Sequence, residues 1–524
     1  MSQHDCDHHE GYVPGAAVRT HCCPCNQEAE PSGVSRRGFL GGMGAAALGG
    51  LALSGVSWSL LAAEQPELPE APKRRPLVVK PVFLWGTYSH RPQTSWRAWG
   101  GIQTPEDVEK EIPRIKAELA KLQTDADFPI RFLPLASLRS AAELNKVEDV
   151  TSADAILVYA ANGSLEGLDK LGKPVILFIR HKSGPLYLWY EIVSPSYLRK
   201  RSDEQVIKGI EPQDIVVDDL GEVLWRLRAL CGLTNTVGSK ILAVGGPGGW
   251  ATAKAPDLAR EKWKLDIQTV TYKDLGELIK AARADQAAVA LAKKRAAEYL
   301  KTPGTSLETK PQFVDNAFLL EQIFRKLMAK AGCRAITVNA CMGTIMPMSE
   351  TTACLALSTL NDDGWQAYCE SDFVVIPAGM LATNISNKPM FFNDPTYPHD
   401  GIITLAHCTG PRRMDGKTLE AARLVTHFES DYGVSPKVEM RKGQKVTNII
   451  PDFKSQRYVG FLGEIAAAPF LPICRCQIDV KYNVPDQLLA ERMPGFHWMT
   501  IYGDYMREVG YALRRIPIKW EVLG

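Results

Sequence analysis

Glu370, Asp394, His407 and His497 are the side chains of this sequence with the most chemistry to offer together. Glu370 and Asp372 stand at the start of a mostly apolar stretch, "CESDFVVIPAGMLATNISNKPMFFNDP", and Asp394 stands at its end. His407 closes the next apolar run in "LAHC", and His497 lies in "MPGFHW", ahead of an expected last helix. Carboxylate oxygens and imidazole nitrogens converging from strand ends suit a divalent cation such as Mn²⁺, with positions left for a substrate that chelates through two oxygens. No pair forms a local motif such as H-E-x-x-H, so plainer roles stay open. Asp394 before Pro395 can set a turn, Glu370 can pair with an arginine, and each histidine can be a hydrogen-bonded structural residue.

Such side chains need strands to carry them. From Leu77 the chain alternates buried strands with helices: "LVVKPVFLW", then Thr104 as an N-cap opening "PEDVEKEIPRIKAELAKL" at helical spacing, then the short apolar runs "FPIRFLPL", "ADAILVYA" and "KPVILFIR". Continuous apolar strands separated by helices predict a parallel sheet covered on both faces. A second unit of the same kind begins at "GSKILAVGGPGGWA" and continues through the helical patterns "YKDLGELIKAARADQAAVALAKKRAAEYLK" and "FVDNAFLLEQIFRKLMAKAG" to the strand "AITVNAC". Its "GGPGG" has neither the dinucleotide-binding spacing nor a P-loop lysine, and reads as a tight turn at a domain junction. After about Leu381 short strand-like runs with frequent turn signals predict a sheet or small barrel. The expectation is an α/β protein: a first Rossmann-like parallel-sheet domain over 77–236, a second over 237–380, and a β-rich, barrel-like carboxyl-terminal domain over 381–524.

Strand carboxyl ends are where ligands bind in parallel sheets. The loop "WGTYSHRPQTSWRAWGG", residues 85–101, follows the first strand and offers His90, Arg97 and aromatic faces including Trp99 to a polyol. "RHKSGPLYLWYE", residues 180–191, offers His181 as a contact across a subunit boundary, and "THFES" offers His427.

The 524 residues are 45% hydrophobic and 23% charged, enough for two or three domains with a substantial core. A net charge of +2 provides no broad field for nucleic acid or anionic membrane. Residues 1–63 read as an address: Ser35-Arg36-Arg37-Gly38-Phe39-Leu40 precedes an uncharged Gly/Ala-rich run, the pattern of a twin-arginine export signal. Export to the periplasm by the twin-arginine machinery follows, with processing near Ala63, or membrane anchoring if the run is retained. Residues 64–76 read as a Pro-rich linker. Of the 12 cysteines, Cys6, Cys22, Cys23 and Cys25 join His4, His8, His9 and His21 in an early cluster able to bind zinc or copper. Among the later eight, Cys474 and Cys476 are the close pair, expected on one face of a strand, and scattered buried thiols are the plainest reading of the set.

The segments "NAC", "ACLALSTLNDDGWQAYCESD", "NKPMFFNDP" and "LAHC", followed in order by "THFESDYGV" and "GFHW", resemble the carboxyl-proximal signature of the L-fucose/L-arabinose isomerase superfamily. The resemblance runs from about residue 330 to the carboxyl end. It implies two α/β domains before a β-rich one, an active site formed among them and often completed by a neighbouring subunit, and a homo-oligomer, a trimer or hexamer. In fucose isomerases a Glu, an Asp 24 positions later and a late His bind Mn²⁺; Glu370, Asp394 and His497 match, and His407 matches a further ligand of arabinose isomerases. The resemblance also implies the chemistry: an open-chain sugar bound through O1 and O2, a cis-enediol, and Glu370 and Asp394 as both ligands and acid/base groups. Asp372 is expected beside the ligands rather than among them. The expected function is a metal-dependent aldose–ketose isomerase using Mn²⁺ or another divalent cation. The alternatives are a sugar epimerase or dehydratase at the same site, or an exported, non-catalytic sugar-binding protein.

Overall fold

The computed structural model describes residues 55–65, 67–188 and 210–524. The twin-arginine motif and the early Cys/His cluster lie outside the described residues. Among them, no helix is long and apolar enough to cross a membrane.

The first sheet contains β1 (Leu77–Leu84), β2 (Ile130–Phe132), β3 (Ala136–Leu138), β4 (Ala155–Ala160), β5 (Val175–Ile179) and β6 (Ile215–Val217), in the order β2-β1-β4-β5-β6 with β3 also on β1. Every pairing in it is parallel. β4 and β5 are buried at every position, as strands covered on both faces must be. The helix Pro105–Asp125 begins where the sequence places it, because Thr104 and Asp107 form a reciprocal capping box.

The second sheet, in the order β11-β10-β7-β8, joins β7 (Lys240–Val244), β8 (Asp266–Val270), β10 (Ala335–Val338) and β11 (Gln366–Tyr368), again all parallel. The long helical pattern after β8 is broken at Asp285 into helices Tyr272–Ala284 and Gln286–Leu300. Asp285 is extended there, and its carboxylate caps the second helix through Ala287 N and Ala288 N.

The carboxyl-terminal part is a closed barrel. β12 (Phe391–Pro395), β13 (Ile402–His407), β16 (Lys445–Pro451), β17 (Arg457–Ala467), β18 (Cys476–Tyr482) and β19 (Trp498–Tyr502) run in the order β16-β19-β12-β13-β18-β17, and β16 pairs back onto β17. β20 (Lys519–Leu523) adds to β17, while β14 (Ala422–Val425) and β15 (Ser435–Val438) form a small sheet with β9 (Thr305–Leu307). The mixed α/β architecture with two parallel sheets and a terminal β-barrel is the one the sequence predicts. The closing helix is shorter than its pattern, spanning Met506–Leu513.

Two amino-proximal segments differ from expectation. Residues 58–63, read as the end of an apolar signal, join Glu64 in the helix Trp58–Glu64, with Trp58 and Leu61 buried in the same core as the helices around the second sheet. The Trp58 indole N–H donates to Asp285 at 2.8 Å, and Lys330 pairs with Glu64 at 2.7 Å. A cut after Ala63 would sever this helix. Nor is the linker free: Arg74 donates to the Asn384 carbonyl at 2.6 Å, and Arg75 pairs with Asp154 at 2.9 Å.

Candidate functional site

Glu370 follows β11 at the carboxyl edge of the second parallel sheet. Both Glu370 and Ser371 hold positive φ, at 64° and 48°, a conformation that costs a non-glycine residue about 1–3 kcal/mol and persists only where its surroundings enforce it. The enforcement is visible. Ser371 N donates to Thr337 Oγ1 at 3.1 Å, and Gly248 N donates to the Ser371 carbonyl at 3.2 Å. Phe373 N donates back to the Gly248 carbonyl at 3.1 Å. The glycine-rich turn, with Gly245 and Gly246 at φ 80° and 94°, is therefore a buttress for the Glu370–Asp372 turn rather than a phosphate cradle.

The barrel supplies the other three side chains. In β12, Asp394 pairs opposite Ala406, the residue before His407; Asn393 pairs opposite Trp498, the residue after His497. This antiparallel register brings Asp394, His407 and His497 to one end of the barrel, facing Glu370. His497 Nε2 lies 3.1 Å from Asp394 Oδ1 and 3.3 Å from Glu370 Oε2, and His407 Nε2 lies 3.7 Å from Glu370 Oε1. The imidazoles are buried, at 0% and 4% side-chain exposure, whereas Glu370 and Asp394 keep 26% and 30%. The open side of the cluster is thus lined by carboxylate.

His497 Nδ1 is 2.7 Å from Asp372 Oδ2, and Asp372 is itself buried and fixed by Trp250 N and Val374 N on its other oxygen. An Nδ1–H donated to that carboxylate leaves Nε2 of the neutral ring as a bare lone pair directed at two further carboxylates, the arrangement that orients a metal-binding histidine. His497 Nε2 and Asp394 Oδ1 are buried and face each other at 3.1 Å, with no hydrogen bond formed by either. A proton on Nε2 or a cation between them would satisfy both atoms. Burial opposes charge on each group, but mutual attraction outweighs it. His407 and His497 hold the Glu370 carboxyl well below the usual carboxylate range; Asp372, Asp394 and Glu370 raise His497 well above its usual value; Glu370 and Asp394 raise His407.

Among the described residues, no three His, Cys, Asp or Glu side chains already stand around one point as ligands of an ion. Glu370 directs one oxygen to each histidine, and His497 Nε2 faces Asp394 as well. Neighbouring ligands of an octahedral ion with bonds of about 2.1 Å lie about 3 Å apart, close to the spacing of the His497 contacts, whereas His407 would have to approach Glu370 by about 0.7 Å. The oxygen and nitrogen donors suit a hard or borderline divalent cation.

An aromatic wall completes this side. Trp250 stacks on Phe496 with ring centroids 3.9 Å apart, and Phe392 lies 4.7 Å from His407 and 4.6 Å from His497. Trp250 remains 37% exposed, leaving indole surface open to a ligand. The sequence reading missed these three; only the place of Phe496 beside His497 and of Trp250 after the glycines hinted at them. His427 is brought to the neighbourhood, buried, with Nδ1 3.1 Å from Ser430 Oγ and its ring against the Cys408 thiol. Glu429, also unforeseen, is near enough that burial and the negative charges of Glu370 and Asp394 raise its carboxyl.

The amino-terminal candidates are not gathered here. His90 packs edge-on to Trp96, Arg97 lies over the same ring, and Trp99 is 64% exposed, all within the 85–101 loop. That loop joins segment 185–188 through Gly101 N donating to the Leu186 carbonyl at 2.6 Å. His181 is exposed, its backbone N–H bound by Asp218 at 2.8 Å. No family model matches the chain, and no curated protein matches it.

Proposed function

We propose that this protein is a divalent-metal-dependent sugar isomerase that interconverts aldose and ketose through a cis-enediol. The observation carrying the proposal is the convergence of Glu370, Asp394, His407 and His497, with two buried polar atoms left unpartnered and Asp372 holding the His497 tautomer. The motif order that resembles the L-fucose/L-arabinose isomerase superfamily supports it independently. Glu370, Asp394, His407 and His497 would hold Mn²⁺ or another divalent cation, which when bound supplies Lewis acidity to adjacent sugar oxygens.

The chain's own groups then divide the remaining work. The imidazoles are sealed from solvent, so the partly exposed oxygens of Glu370 and Asp394 are the groups able to reach a carbon-bound proton. One carboxylate takes the proton from C2 of the open-chain aldose, a hydroxyl proton passes from O2 to O1, and return of a proton to C1 gives the ketose with no net change in atoms. The exposed face of Trp250 offers apolar surface to sugar C–H groups. The exposed 85–101 loop supports completion of the site by a second subunit in a homo-oligomer, with Trp99, Arg97, His90 and His181 as substrate contacts supplied in that way. The Ser35–Leu40 motif supports export.

The test is product analysis of purified full-length protein with pentoses, hexoses and deoxyhexoses. Ketose formation should require divalent cation, stop on chelation and disappear in Glu370→Gln. A metal-free protein in which Glu370→Gln leaves sugar conversion unchanged would end the proposal.

A further inference from the structure

From Gly38 to Ala63 the sequence carries no charge, so composition alone does not mark where a leader would end and the folded body begin. The structure divides this run. Ser57 is the N-cap of the helix Trp58–Glu64, its Oγ accepting from Leu60 N at 3.3 Å. Trp58 and Leu61 are buried, and Val56 packs against the same core. Everything from Val56 onward is therefore part of the body. A cut after Ala63 would also set Leu61, bulky and buried, three positions before the broken bond, where leader processing takes a small residue.

Gly55 is placed differently. It holds φ 81°, and no described heavy atom lies within 4 Å of where a Cβ would stand, so the chain here runs through open space. Its N–H points at Asp274 Oδ1 from 3.4 Å, while the other Asp274 oxygen accepts from Thr271 Oγ1 at 2.6 Å. A neutral amide at that distance makes poor use of a carboxylate, whereas an ammonium in the same place would meet it as a full opposite charge. Ala52-Leu53-Ser54 sets small residues three positions and one position before Gly55, the pattern a signal peptidase reads. Gly50-Leu51-Ala52 repeats the pattern two residues earlier, but a cut there leaves Gly55 N an amide and gives Asp274 no terminal charge to meet.

We propose that the bond between Ser54 and Gly55 is a processing site, cut by a membrane-bound signal peptidase so that the mature chain begins at Gly55 with its ammonium against Asp274. The reaction is hydrolysis. Water's hydroxyl goes to the Ser54 carbonyl carbon as the C–N bond breaks, and its hydrogen goes to the Gly55 nitrogen. The new carboxylic acid then releases a proton and the new amine takes one up. The helix Trp58–Glu64 and its Ser57 cap stay whole. The inference rests on the export reading of the Ser35–Leu40 motif, and the experiment reads the two separately.

The full-length chain, tagged at its carboxyl end, is produced in bacteria that possess the twin-arginine machinery, and the amino terminus of the periplasmic fraction is determined by Edman sequencing and intact mass. In a second arm the purified, detergent-solubilised precursor is incubated with purified signal peptidase, which requires no export. Both arms should give a chain beginning at Gly55, and Ser54→Leu should remain uncut at this bond in both. Arg36→Lys/Arg37→Lys should hold the uncut precursor in the cytoplasm while leaving the peptidase arm unchanged. If the wild-type chain never leaves the cytoplasm, the export reading fails and the peptidase arm alone decides the cut. A mature terminus at Leu53, at Glu64 or at any other residue would overturn the proposal, as would a precursor that the peptidase leaves intact or a Ser54→Leu chain still beginning at Gly55.

Discussion

Replacing Asp372 with Asn isolates the device that prepares His497. Asp372 touches no expected substrate position; it accepts from His497 Nδ1 at 2.7 Å through one oxygen and from Trp250 N and Val374 N at 3.3 and 3.1 Å through the other. The asparagine oxygen stays with the two backbone donors, because turning the amide over would set its NH₂ against both. Its NH₂ therefore faces His497 Nδ1, which must become an acceptor, and the ring proton moves to Nε2. That nitrogen, 3.1 Å from Asp394 and 3.3 Å from Glu370, can no longer offer a lone pair to a cation. Loss of such an orienting partner costs about 10–100-fold in metal affinity, or about 1.4–2.7 kcal/mol. Titration of the metal-free protein with Mn²⁺, followed by calorimetry or by the resonance of the free ion, reads this directly, and a circular-dichroism melt reports whether the fold is retained. A folded Asp372→Asn protein binding Mn²⁺ within twofold of wild type would refute the orienting role and, with it, His497 as a ligand.

Further outcomes follow from the same geometry. Without metal, the raised His407 and His497 stabilise the fold fully below about pH 6.5, and this contribution is lost as pH rises through their raised values; the depressed Glu370 contributes above about pH 4.5 and loses its share as pH falls through its lowered value. A cation needs the imidazoles deprotonated, so the gain in melting temperature from Mn²⁺ should grow between about pH 5 and about pH 8, and a flat or falling gain would contradict this. Trp250→Ala should raise KM for the sugar by about 3–10-fold with little change in kcat, the loss of one stacking face; an unchanged KM would remove Trp250 from the binding surface. Trp58→Ala should cost about 3 kcal/mol or more in urea unfolding, since it empties a buried site and leaves Asp285 without its indole donor. A cost below about 1 kcal/mol would show that the Trp58–Glu64 helix does not hold to the body.

The fold was legible where burial is two-sided. Runs such as 155–160 and 175–179 carry no polar alternation, and that pattern has few outcomes besides a parallel sheet. β19 was harder to see, because Trp498–Tyr502 adjoins the apparent last helix and its partners, β12 and β16, lie far off in the chain. The Trp58–Glu64 helix was hidden for another reason: apolar residues that fit a membrane run equally fit a socket between helices, and only tertiary contact distinguishes them. The four site residues were legible as types in order, while what arranges them was not. The strained turn at Glu370 and Ser371, its glycine buttress at Gly248 and the Trp250–Phe496 stack all join positions remote in sequence. Cys474 was misplaced because its spacing from Cys476 implied a shared strand, whereas β18 begins only at Cys476.

Solvent exchange at the sugar C2 position is the reaction's own signature, and following it by proton NMR in D₂O with Mn²⁺-loaded, full-length protein requires no knowledge of which product accumulates. Loss of the C2–H signal from at least one pentose, hexose or deoxyhexose is predicted, abolished by Glu370→Gln and by chelation. Saturable sugar binding by the metal-loaded protein with no exchange in any of them would contradict an isomerase and leave a sugar-binding protein built around the same four side chains.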